Sequence, residues 1–124
     1  MNKVIITWKD VEGYIQNVAN RYKGVKITGV YGFARGGLVL AVMLSHRLDI
    51  PLLSAPVKDC IIIDDICDSG ETLLHYRKNS SALKKPDYYI TTMMYKNGAM
   101  VTPDYYWGVK HDDWIVFPWE KQNV

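Results

Sequence analysis

Three carboxylates stand close together in the stretch IIIDDICDSGETL, residues 61–73: Asp64, Asp65 and Asp68. An apolar strand that runs into a carboxylate pair loses hydration energy unless the pair meets a cation or hydroxyl donors. Sugar hydroxyls are such donors. Magnesium is the alternative, since it takes carboxylate and water oxygens while ligand phosphates complete its octahedron. Successive strand residues point to opposite faces, so Asp64 and Asp65 reach one ligand together only if the chain is already turning there. Just beyond, Asp68-Ser69-Gly70-Glu71-Thr72 leads into a helix. Backbone N–H groups at its start, with the Ser69 and Thr72 hydroxyls, form a cradle for a phosphate dianion. Gly70 permits the positive φ that such a turn often needs. A helix cap by Asp68 or Ser69 would account for DSGET alone. It leaves the Asp64-Asp65 pair unexplained.

The elements that must hold these groups follow from periodicity. Thr7 and Asp10 resemble a capping box, and Val11, Tyr14, Ile15, Val18 and Tyr22 recur at helical spacing. A helix over 8–23 is expected, stopped by Gly24. Residues 25–33 (VKITGVYGF) read as a buried strand, 38–48 as a helix, and 51–54 as a short strand candidate. A strand over 60–64 precedes a helix from Glu71 to about Lys78, which ends in the polar stretch 79–81. Residues 87–95 form a further strand, 105–109 a weaker one, and 112–120 (DDWIVFPWE) an aromatic capping segment. This order predicts one α/β domain over 1–124 with a mainly parallel central sheet flanked by helices. In such sheets a ligand lies beyond the carboxyl ends of the strands, where the loops 34–37 and 65–72 sit.

The stretch CIIIDDICDSGETL resembles the phosphoribosyl-pyrophosphate (PRPP) signature of the type I phosphoribosyltransferases, a hydrophobic strand followed by two acids and Asp-Thr/Ser-Gly-x-Thr. The resemblance implies a Rossmann-like phosphoribosyltransferase core with a small C-terminal aromatic hood. It implies that Asp64 and Asp65 bind the ribose hydroxyls directly or through Mg²⁺, that Asp68, Ser69, Gly70, Glu71 and Thr72 hold the 5-phosphate, and that Asp68 handles a proton of the base. GFARGGLVLAVMLSHRL resembles the family's pyrophosphate loop, in which Arg35 grips pyrophosphate as a fork while Gly36 and Gly37 let backbone amides approach. A cis or strained Ala34–Arg35 peptide belongs to the same resemblance. In the purine members a lysine placed like Lys96 donates to the exocyclic oxygen at position 6. The tail WIVFPWE resembles the segment that supplies a stacking aromatic, here Trp114, and a backbone contact to the base, here Ile115. Phe117 and Trp119 are expected to pack. The resemblance covers roughly residues 27–120 and points to the hypoxanthine/xanthine/guanine branch: a purine salvage enzyme making a nucleoside 5-monophosphate and pyrophosphate.

One departure bears on mechanism. Only five residues, 55–59, separate Ser54 from Cys60, where the family carries a long mobile loop over the reacting centre. Five residues span at most about 18 Å, so either 51–54 is a rudimentary strand or 55–59 runs straight back. A shortened flexible loop implies slow turnover or cover from a neighbouring subunit. Two rival readings stand beside the transferase: a PRPP- or nucleotide-binding regulatory module that lost catalysis with its lid, and a metal hydrolase using the acidic pair.

Composition narrows the field. The 124 residues are 48% hydrophobic and 23% charged, which suits a globular domain. A formal charge of +2 with scattered basic residues argues against a nucleic-acid partner, and Lys84-Lys85 reads as a solvated loop. No run approaches a membrane span, and MNKVIITWKD lacks a signal-peptide core, so a cytoplasmic location is expected. Cys60 and Cys67 lack metal-site spacing and are expected to be reduced; a catalytic thiol at Cys67 has no neighbouring histidine to activate it. His46, His75 and His111 show no clustering that suggests ligation. A homodimer or higher homo-oligomer is expected.

Overall fold

The computed structural model describes residues 2–78 and 87–121. The predicted polar stretch 79–81 and the Lys84-Lys85 loop lie outside them. The first helix, α1 (Trp8–Arg21), starts as its sequence dictates: Thr7 Oγ1 accepts from Asp10 N at 3.1 Å and Asp10 Oδ2 accepts from Thr7 N at 2.9 Å. Its apolar stripe, Val11, Tyr14, Ile15 and Val18, is fully buried.

Four strands, β2 (Val30–Gly32), β3 (Cys60–Cys67), β4 (Tyr88–Lys96) and β5 (Tyr105–Lys110), form one wholly parallel sheet in that order. α2 (Gly36–Leu48) and α3 (Glu71–Lys78) make the crossovers from β2 to β3 and from β3 to β4. α1 and α2 cover one face, where Leu40, Ala41 and Leu44 meet Ile61, Ile63 and Met93. On the other face Leu73 of α3 packs with Cys60, Ile62 and Ile90. β3 is the axis of the molecule: Cys60, Ile61, Ile62 and Ile63 are all completely buried, as a parallel strand covered on both faces must be. All four strands point their carboxyl ends the same way, so loops 33–36, 68–70, 97–104 and 111–113 converge on one edge.

Several expectations need correction. The strand expected over 25–33 shrinks to Val30–Gly32, because 25–29 extends past the start of the ladder with β3. β3 does not end at Asp64 but continues through Cys67. Residues 51–54 contribute only an isolated parallel bridge, Leu52 to Val30. Leu53 N donates to Val30 O and Val30 N to Pro51 O, at 2.8 and 2.9 Å. Val30 lies at the amino end of its strand, so this bridge never climbs to the carboxyl edge. The five-residue connection therefore has no long return to make, and no lid can rise from it.

The two chain ends form an unexpected second sheet. β1 (Lys3–Ile5) runs parallel to β6 (Trp114–Val116), with Lys3 opposite Trp114 and Ile5 opposite Val116. The segment expected only to cap the domain is thus a strand, and its partner is the N-terminus. Beyond β6, Phe117 is buried and stacks on Trp119 with centroids 4.9 Å apart, while Trp8 of α1 lies 5.9 Å from Trp119. This aromatic cluster fixes the hood against α1.

Candidate active site

The acidic pair occupies the carboxyl end of the most buried strand, and its geometry is set by backbone rather than by a turn. Asp64 Oδ1 accepts from Asp65 N at 2.9 Å, and Asp65 Oδ1 accepts from Ile66 N at 2.8 Å. Each carboxylate curls toward the sheet edge while the strand runs on, so the two converge without the chain turning between them. The first residues of α2 close in from the side. A Cβ on Gly36 would collide with the Asp65 carboxylate, and one on Gly37 would lie 2.9 Å from Asp64 Oδ1. Only a glycine pair lets this helix start so near the acids.

Crowding two carboxylates in a half-buried place has an electrostatic consequence. Burial, the Asp65 charge and a hydrogen bond shared with Asp65 together push the Asp64 carboxyl up to about 8. Among the described residues neither acid forms an ion pair. A divalent cation would relieve this crowding and let Asp64 give up its proton. Those residues contain no group of three ligands able to cage a metal. Two carboxylates completed by ligand and water oxygens match magnesium better than a metal wholly held by protein.

After Cys67 the chain turns. Gly70 takes φ +87°, and its α carbon sits so close to Met100 N and Val101 N that a Cβ there would lie 2.9 Å from each. Met100 N donates to Ser69 O at 2.8 Å, which straps the loop to the 97–104 connection. Ser69 Oγ accepts from Glu71 N at 3.3 Å, so the capping reading of this serine holds. Glu71 and Thr72 are exposed in the first turn of α3. Cys67 is buried with its Sγ donating to Val101 O at 3.3 Å. Burial, then the nearby Asp64 and Asp68 charges, push its thiol up to about 11, the reverse of a reactive cysteine.

Two depressions open along this edge. A cleft of about 810 Å³ is lined by Arg35, Gly36, Asp65 and Asp68 on one side and by Trp114 and Ile115 on the other. Trp114 is 58% exposed and faces the opening although its backbone is pinned, its N donating to Asn2 O at 2.8 Å. The Ala34–Arg35 peptide is cis, as in the resemblance. A smaller pocket of about 240 Å³ is lined by Ser69, Lys96 and Gly98, and Asp68 borders both. The fold thus gathers Arg35, Gly36, Asp65, Asp68, Trp114 and Ile115 around one space. Lys96 lies across Asp68 in the next, where its ammonium is 4.0 Å from the exposed Asp112. Asp64 stands behind Asp65 and lines neither space.

Sequence reasoning missed four charged groups that line the cleft, Lys110, Asp113, Glu120 and Lys121. Lys110, the last residue of β5, lines the cleft and reaches Asp68 Oδ1 at 3.3 Å. The weak strand pattern before it was the available signal: a lysine ending β5 sits beside the one ending β4, Lys96 opposite Lys110.

No protein-family model matches the chain. A curated xanthine-guanine phosphoribosyltransferase of Vibrio vulnificus is 26% identical over 142 aligned positions, covering 96% of this chain and 90% of the relative. That alignment is longer than the 124 residues of this chain, so the relative carries segments that are missing here. Among solved structures, the purine phosphoribosyltransferase of Pyrococcus horikoshii superposes with a TM-score of 0.83 at 35% identity, covering all of this chain and 98% of that one. The xanthine-guanine-hypoxanthine phosphoribosyltransferase of Helicobacter pylori shares the fold, with a TM-score of 0.72 at 24% identity over 96% of this chain.

Proposed function

The chain belongs to the type I purine phosphoribosyltransferases, and we propose that it joins a 6-oxopurine (hypoxanthine, guanine or xanthine) to the ribosyl carbon of PRPP. It is a glycosyltransferase of purine salvage. The bond from C1 of the ribose to pyrophosphate breaks, a bond from C1 to a ring nitrogen of the base forms, and that nitrogen gives up its proton. The observation that carries this reading is the single cleft into which Arg35, Asp65, Asp68 and Trp114 all open.

Each group has work suited to its chemistry. Arg35, with the amide-exposing start of α2 at Gly36, grips the pyrophosphate. Asp65 accepts from the ribose hydroxyls, and with Asp64 behind it would hold Mg²⁺, which when bound supplies positive charge against PRPP and its departing pyrophosphate. The 68–72 turn holds the 5-phosphate with backbone amides. Asp68, at the boundary of the two spaces, accepts the base proton. Trp114 stacks on the purine, the Ile115 backbone contacts its edge, and Lys96 donates toward the 6-oxygen. A carbonyl there accepts from an ammonium; the amino group of a 6-aminopurine would not.

The non-catalytic module is not favoured, since a sensor of PRPP needs no base platform and the relatives carry transferase names. A metal hydrolase gives the phosphate cradle no role. We further propose a homodimer or higher homo-oligomer, for which the exposed Leu38 and Val42 on α2 are a suitable seam, and a cytoplasmic location, consistent with two unpaired cysteines. No described helix is long and apolar enough to cross a membrane.

A coupled assay with PRPP, Mg²⁺ and each of hypoxanthine, guanine, xanthine and adenine tests the function. Nucleotide formation with a 6-oxopurine and little with adenine is expected. Binding of PRPP without nucleotide formation would favour the regulatory module, and phosphate-ester hydrolysis without PRPP the hydrolase.

A further inference from the structure

Lysines seldom surrender their hydration, yet the Lys110 side chain is only 12% exposed, against 41% for its strand neighbour Lys96. Its stem is buried at the end of β5 and its ammonium is spent on one carboxylate, Asp68 Oδ1 at 3.3 Å. The Lys96 pair with Asp112 is longer, 4.0 Å, and its acid is fully exposed, so water screens it. Two lysines in register on adjacent strands therefore do different things. Lys96 borders the small pocket beside Ser69, and Lys110 borders the cleft beside Trp114 and Ile115.

We infer that Lys110 is a positioning and specificity-determining residue of the transferase site, an inference that rests on the transferase reading. An ammonium carries three donor hydrogens. One holds Asp68, whose side chain is 63% exposed and forms no other ion pair among the described residues. The others remain for a ligand in the cleft that Lys110 lines together with Trp114 and Ile115, where a base stacked on Trp114 would offer its edge. A ring carbonyl and a ring nitrogen accept from them; an exocyclic amino group meets them as donor against donor. Lys110 thus both aims Asp68 at the base and selects an acceptor-rich edge, a contribution separate from that of Lys96.

The test uses the full chain with Mg²⁺ and compares wild type with Lys110→Met and Lys110→Arg. The readouts are kcat, the KM values for guanine and PRPP, and the Kd values for GMP and AMP. Lys110→Met is expected to raise the guanine KM and GMP Kd about tenfold or more. The PRPP KM stays within about twofold, so the preference for GMP over AMP falls by the same tenfold. A lower kcat accompanies this as Asp68 loses its anchor, and Lys110→Arg recovers most of both. Should Lys110→Met not unfold cooperatively, Lys110→Gln, which keeps a polar end without the charge, must show the same fall. An unchanged GMP-to-AMP ratio, or guanine and PRPP weakened alike, overturns the inference. Wild-type protein that neither binds GMP nor consumes PRPP overturns the transferase reading as well; a fully active wild type matched by Lys110→Met overturns this inference alone.

Discussion

Asp64 and Asp68 are the same residue four positions apart, and the fold has made them opposites. Asp64 is wedged behind Asp65 under the first turn of α2, with no ion pair among the described residues and its carboxyl pushed up to about 8. Asp68 stands out in solvent, held by the Lys110 ammonium at 3.3 Å. One is a crowded carboxyl that keeps its proton until a cation displaces it; the other is an accessible carboxylate paired with a lysine. Their shared residue type says little about role. What separates them is depth along one strand, because β3 leaves the covered sheet between them.

The sharpest way to break this contrast is at Asp68. Asp68→Asn removes the proposed proton acceptor, and kcat should fall by about 10²–10⁴-fold, the usual worth of a positioned general base. Thermal unfolding should move little, since the side chain is exposed and the Asn amide oxygen can still accept from Lys110. Steady-state kinetics beside a melting curve reads both, and a large loss of stability would contradict the assignment. At the buried end the order reverses. Gly36→Ala drives a methyl group into the Asp65 carboxylate, so unfolding free energy should drop by about 1–3 kcal/mol with activity lost alongside. Denaturant unfolding measures it, and a neutral result would mean that α2 does not approach the acids as described.

The smallest effect is a pH dependence. Below about pH 4 Asp64 is protonated in folded and unfolded chains alike. Between there and its raised value near 8 the folded chain keeps a proton that the unfolded chain has lost. Its contribution therefore makes stability fall as pH rises through that window, and no further above it. Asp64→Asn should flatten the decline and raise Tm at pH 8, each ~1 kcal/mol appearing as roughly 4 °C. Wild type with Mg²⁺ and GMP should lose much of the slope. Melting curves across pH 5–9 with and without ligand decide it; equal slopes in wild type and variant would remove Asp64 as the source.

The comparison of strands carries a related lesson. The helix α1 was legible to its cap because the Thr7–Asp10 box and a clean apolar stripe are local signals. β3 was legible because isoleucine runs are. β2 was overestimated since β-branched residues continue past the point where a neighbour exists to pair with them. β1 and β6 went unseen: three residues cannot display a period, and each is a strand only because the opposite end of the chain lies beside it. In the site, Asp64, Asp65 and Asp68 announced themselves through type and spacing, and Arg35 and Trp114 through the family resemblance. Lys110 did not, because a lysine closing a weak strand looks like any solvated lysine until Asp68 is found 3.3 Å away.

Local sequence along the chain thus determined the family resemblance, the acidic pair, the glycine turn that follows it and the order of the main elements. Each of these depends on residues within one strand, one turn or one helix start. Only the tertiary structure decided which acid is buried, that Lys96 and Lys110 serve different spaces, and that the hood is held by the N-terminus. Those outcomes depend on distances between segments tens of residues apart, and burial, pairing and pKa are properties of such distances rather than of sequence neighbours.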